Sequence, residues 1–142
     1  MTKKETLKVS NFDDNENILL FTIVSSESDI HLCLLINKIF KISLSLSDDI
    51  IVPSKNESFG FRKYECEDPE EGEKFILLVN KNNSGKYLFP EFKKIDYIFI
   101  VISEMPNISY DKRLLHFKED KAVSAFFKID HLKVKSFSKI KL

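Results

Sequence analysis

Among the side chains that exchange protons or make soft nucleophiles near neutral pH, the chain has three histidines, His31, His116 and His131, and two cysteines, Cys33 and Cys66. Histidine is the usual general base at that pH, and a thiolate the usual nucleophile of this kind. None of the five stands in a nucleophile or metal motif. His31 and Cys33 are two positions apart in a helical pattern, so their side chains diverge, and a Cys–His pair would need residues from elsewhere. The two cysteines lack zinc-finger spacing and are too few for a disulfide framework, which reads them as reduced core thiols. GxSxG and HExxH are absent, and the three scattered glycines form no phosphate-cradling loop. No catalytic residue, metal or cofactor is implied. A small enzyme whose site is assembled only in space stays open as a further alternative.

Charge is more informative. Glu65, Glu67, Asp68, Glu70, Glu71 and Glu73 form an acidic run without the loop pattern of an EF-hand, so a solvated hairpin tip is the expected reading. Beyond Asp130 the chain has no acid, and Lys133, Lys135, Lys139 and Lys141 alternate with apolar residues. That tail, residues 131–142, is expected as an edge strand with its lysines outward, or as a basic arm for an acidic protein or RNA. Glu91 and Asp96 bracket Lys93 and Lys94 in one short stretch. The four charges can share a patch that recognises a partner, or the carboxylates can satisfy turn amides while Pro90 and Tyr97 fix the entry to a strand. The structural role is preferred for Pro90, Asp96 and Tyr97, and the partner role is kept for Glu91 and the lysines.

Proline fixes its own φ and biases the residue before it toward an extended backbone. The chain should therefore arrive at Leu88-Phe89 as a strand, turn over Glu91 to Lys94, and leave as the apolar strand Ile98-Phe99-Ile100-Val101-Ile102, buried on both faces. The stretch from Phe89 to Tyr97 resembles the signature of the IPExxxVDY family of bacterial proteins. Pro90, Glu91, Asp96 and Tyr97 match, while Phe89 and Ile95 stand where the signature has other apolar residues. The likeness runs from about Ile18 to the C-terminus. It assigns no activity, so it carries no catalytic or binding role to any residue. A second likeness is local: Phe59-Gly60-Phe61-Arg62-Lys63-Tyr64 resembles part of the RNA-recognition-motif signature, in which strand aromatics stack on bases. Glu57-Ser58 in place of a basic residue and glycine, Arg62 in place of an aliphatic, and the acidic run beyond weigh against it. Packing is preferred for these aromatics.

The elements that must position these groups follow from pattern. Ile18 to Val24 is short, apolar and β-branched, a buried strand. Leu32, Leu35, Ile36 and Ile39 recur at i, i+3, i+4 and i+7, a helix opened by Ser25 or Ser26 with Glu27 and Asp29 at the positive end of its dipole. Ser43 to Ser47 alternates as an edge strand, Phe59 to Cys66 and Lys74 to Asn80 form a hairpin, a second helix opens near Pro106 and Asn107 or Ser109, and a last strand runs from Ala122 to Ile129. Leu7 to Val9 can add a short strand. This order implies an α+β domain: a two-layer sandwich, two helices on one face of a largely antiparallel sheet, a variant of the ferredoxin-like split βαβ arrangement. The four helix residues should pack on Ile98 or Ile100.

At 142 residues and 43% hydrophobic, with thirteen phenylalanines, the chain can build one core, with residues 1–16 expected as a mobile N-terminus. Equal numbers of acidic and basic residues, 22 each, argue against a bulk nucleic-acid or anionic-membrane partner. No apolar stretch follows the N-terminal lysines, so no signal peptide is read and a cytoplasmic location is expected. The function expected is a non-enzymatic binding or accessory domain acting through protein contacts, with RNA or ribosome association through the basic tail as the alternative. The partner is unknown, and exposed strand edges also allow a homodimer.

Overall fold

The structure is a computed structural model that describes residues 17–104, 111–140 and 142. The elements, in order, are β1 (Asn17–Val24), α1 (Asp29–Phe40), β2 (Ser45–Leu46), β3 (Ile50–Ser54), β4 (Glu57–Phe61), β5 (Lys63–Asp68) and β6 (Glu73–Val79). A 3-10 turn, η1 (Pro90–Phe92), leads to β7 (Tyr97–Ser103), α2 (Asp111–Glu119), β8 (Ala125–Ile129) and two further 3-10 turns, η2 (His131–Lys133) and η3 (Lys135–Lys139). Six strands form one sheet in the order β2-β5-β6-β7-β1-β8, antiparallel throughout, and β3 pairs with β4 apart from it. Within β6-β7-β1-β8, the chain leaves β1 through α1 and re-enters at β6, with β7 between. It leaves β7 through α2 and re-enters at β8, with β1 between. Those are two split βαβ units, the ferredoxin-like α+β arrangement, with β2 to β5 inserted in the first crossover.

Both helices lie on one face. Leu32, Ile36, Ile39 and Phe40 of α1 and Phe117 of α2 pack on Phe21, Ile23, Phe75, Leu77, Phe99 and Val101, while Leu35 stays at the rim. The facing residues of β7 are thus Phe99 and Val101 rather than Ile98 or Ile100. Because β7 is apolar on both sides, sequence alternation does not say which parity meets the helices. Ile98 and Ile100, with Leu20, Ile76 and Leu78, form the opposite face, which is also covered, by Ile50 and Phe61 of the β3–β4 pair and by Val134, Phe137 and Ile140.

That second covering corrects the reading of the tail. Residues 131–139 form neither an edge strand nor a free arm: they coil as η2 and η3, and the apolar residues of the tail pack inward every three residues. A three-residue spacing matches a 3-10 turn, whose side chains at i and i+3 eclipse. Three smaller corrections concern the N-terminal half. The expected strand Phe59 to Cys66 breaks at Arg62 into β4 and β5, which belong to different sheets. Leu44 is buried but Leu46 is 63% exposed, so the leucines of Ser43 to Ser47 do not share a covered face. The cap of α1 is Ser28, whose side chain accepts from the His31 amide, and not Ser25 or Ser26. The start expected for the second helix and the strand at Leu7 to Val9 lie outside the described residues. No described helix is long and apolar enough to cross a membrane.

Candidate functional site

The turn before β7 is organised by a residue that sequence reasoning passed over as a strand end. Asn80 follows β6 and is completely buried. Its side-chain amide donates to the carbonyls of Phe92 (2.9 Å) and Ile95 (2.8 Å), and its side-chain oxygen accepts from Phe89 N–H (2.8 Å). Its own backbone binds Asp96 and Leu88. One amide side chain thus serves three peptide groups of the turn, adding to the bond that the Ile95 N–H gives the Phe92 carbonyl within the turn itself (3.1 Å). Pro90 opens η1, where a missing N–H leaves no bond unmade. Asp96 and Tyr97 point to a different loop: the Asp96 carboxylate accepts from Ser25 N–H (2.9 Å), and the Tyr97 hydroxyl donates to the Glu27 carbonyl (2.6 Å). Burial, then the nearby Asp29 and Asp96 carboxylates, pushes the Tyr97 hydroxyl up to about 12, so it stays a donor. Both residues therefore fasten the link between β1 and α1 rather than amides of their own turn.

The outward groups of the same stretch make another connection. Glu91 is exposed, yet both its oxygens are engaged: Oε1 accepts from the Ser136 hydroxyl (2.6 Å) and Oε2 from the Ser136 N–H (3.2 Å). This clasp holds η1 against η3. It joins the turn followed by Lys93 and Lys94 to the turn that carries Lys135 and Lys139, with Lys133 in η2 before it; all five lysines are exposed. Lys141 lies outside the described residues. Leu132, 83% exposed, stands among these lysines, and the His131 ring packs edge-on to the buried Phe137 at 5.4 Å. Ser136 is not legible in sequence as a partner for Glu91, because 45 residues separate them.

Burial works to raise the Glu91 pKa, but the hydrogen bonds from Ser136 and from the Glu91 backbone, with the charge of Lys139, together hold it below its ordinary value. A carboxyl depressed in the folded state adds stability above its unfolded pKa and loses it as pH falls through the folded value. The clasp should therefore be intact at neutral pH and open only as pH falls below the ordinary range of a glutamate carboxyl. The protection of the Ser136 amide, its exchange relative to an unstructured peptide at the same pH, is expected to fall in that window in the wild type. In Glu91→Gln, which lacks the titrating carboxylate, exchange there should show no step.

Three further chemically competent groups, Asp29, Cys33 and Glu65, are tied up in structure. Asp29, at the start of α1, is buried: it accepts from the Tyr64 hydroxyl (2.7 Å) and from Ile30 N–H (3.0 Å) and pairs with Arg62 Nη1 (3.0 Å). Burial and then Asp29 push the Cys33 thiol up to about 12, so it is protonated at neutral pH and not a nucleophile. His31, His116 and His131 sit on α1, α2 and η2. Among the described residues no three of His, Cys, Asp and Glu group as a metal site. Glu65 of the acidic run is drawn into β5, where it lies 3.5 Å from Lys63 and 3.8 Å from Lys74. Compared with known protein-family models and with curated proteins, the sequence matches none.

Proposed function

We propose that the chain is a non-enzymatic cytoplasmic binding domain that docks an acidic surface of a partner protein on Lys93, Lys94, Lys133, Lys135 and Lys139. The observation that carries the reading is the Glu91–Ser136 clasp, which joins two lysine groups 40 residues apart in sequence and uses up the one acid of η1. On this reading the residues shared with the IPExxxVDY signature divide their work. Asp96 and Tyr97 hold the fold, and Glu91 shapes the surface. Protein is favoured over RNA because Phe89 and Phe137 of this region are buried and Phe92 is half-buried, while exposed Leu132 offers the apolar anchor that protein interfaces use.

Zero-length carboxyl-to-amine cross-linking in native extract, read by mass spectrometry, tests the proposal. The expected products join these lysines to aspartate or glutamate of another protein and fade as salt is raised toward about 1 M, where screening is nearly complete. Absence of products at these lysines would overturn the reading. Association that ribonuclease abolishes would transfer it to RNA.

A further inference from the structure

A second surface lies well apart in the sequence from the clasp. Between the β3–β4 pair and the loop after β6 opens a cleft of about 500 Å³, lined by Ser58, Phe59, Gly60, Arg62 and Lys81. Its wall is a strand edge. In the β3–β4 register Ser58 stands opposite Pro53, which has no N–H to give, and Gly60 opposite Ile51. The Gly60 carbonyl accepts instead from the Asn82 side chain (3.2 Å) across the cleft. In an antiparallel pair, alternate residues direct both backbone groups to the same side. Ser58 and Gly60 therefore turn theirs away from β3, so the Ser58 N–H and C=O and the Gly60 N–H face the cleft without a partner among the described residues. Asn82 stays in place because its own oxygen accepts from Ser84 and Lys86 N–H (3.0 and 2.9 Å). Three backbone groups in line, beside a fixed polar end-stop, are the edge to which an extended peptide adds as a strand.

The charge around this edge selects the peptide. Arg62 spends Nη1 on Asp29 but keeps its side chain 48% exposed, which leaves the rest of its donor fork toward solvent. Lys81 is exposed on the rim, and Lys86 sits over the Phe59 ring at 5.2 Å. The opposing acid is Asp49, whose carboxylate lies beside Gly60. Counting Asp29, already paired with Arg62, three cations against two acids leave the cleft with one positive charge in excess. We infer that this cleft binds a short extended segment of a protein, paired through its backbone to Ser58 and Gly60, with an aspartate or glutamate side chain on Arg62 and Lys81.

A displayed library of random peptides of about ten residues, panned against the full chain, is the probe. The peptides recovered are expected to be rich in β-branched residues and to carry Asp or Glu. A synthetic copy of the tightest should shift the Ser58 and Gly60 amide resonances and slow their exchange. Ser58→Pro, which removes one of the edge donors while keeping an extended backbone, and Lys81→Glu should each weaken it about tenfold or more. Lys135→Glu should leave its affinity unchanged, since that lysine belongs to the other surface. A library that yields no peptide, a peptide that leaves both amides untouched, or binding that survives both substitutions in the cleft would overturn the inference.

Discussion

Replacing Asn80 with aspartate is expected to cost more stability than any other single polar substitution in the described part of the chain. The native side chain gives two N–H donors to the Phe92 and Ile95 carbonyls and accepts one N–H from Phe89, all within a completely buried position. Aspartate keeps the acceptor but sets a second oxygen, charged or protonated, against the Phe92 and Ile95 carbonyl oxygens, of which Phe92 alone keeps a second donor, the Ile95 N–H. Alanine removes all three bonds at once. The Phe92 carbonyl keeps the Ile95 N–H, so alanine strips the Ile95 carbonyl and the Phe89 N–H of their partner; at about 1 to 3 kcal/mol for each buried backbone group left unpaired, Asn80→Ala should lose about 2 to 4 kcal/mol after partial relaxation, and Asn80→Asp at least as much. Urea unfolding read by circular dichroism measures it. Losses under about 1 kcal/mol for both would show that the turn before β7 does not depend on this residue.

The second large effect belongs to Phe99. Its ring lies 5.4 Å from Phe40 of α1, 6.3 Å from Phe21 of β1 and 6.3 Å from Phe75 of β6, at the middle of the layer between sheet and helices. Phe99→Ala should cost about 3 to 5 kcal/mol, the lost transfer of the ring plus the cavity that four elements cannot close. Hydrogen exchange adds a direction to this magnitude. Phe99→Ala should loosen α1, whereas Ile100→Ala, one residue on but facing Phe137, should loosen the C-terminal turns. If both loosened the same element, the assignment of the two faces of β7 would be wrong.

Those faces mark the limit of what the sequence discloses. The α1 stripe at Leu32, Ile36 and Ile39 was legible because a 3.6-residue period has one apolar side, and the helix–strand order was enough to place both helices on one face of an antiparallel sheet. β7 has no polar parity, so its register was beyond pattern. The tail was misread for a related reason: Val134, Phe137 and Ile140 repeat every three residues, a weak signal beside the alternating lysines that suggested a strand. The break at Arg62 depends on the buried carboxylate of Asp29, 33 positions earlier in the chain, and no local rule announces it. At the candidate surface the lysines and Glu91 could be named from the chain, and Asp96 and Tyr97 could be given structural work. Their partners could not: Ser136, Ser25 and the Glu27 carbonyl come from elements brought close only by the fold. Asn80 had a signal that went unused, an amide side chain closing a strand of consecutive apolar residues.

On the proposed function, the inward groups of residues 89–97 hold the fold while the lysines on either side of the Glu91–Ser136 clasp do the binding. The most direct measurement pairs the unfolding midpoint with the yield of partner co-purified at low salt, without cross-linking, for Lys135→Glu/Lys139→Glu. Both lysines are exposed, and their charges contribute little to folding. The expected result is a midpoint in urea close to that of the wild type, together with loss of most of the co-purified partner. An unchanged yield at unchanged stability would contradict it.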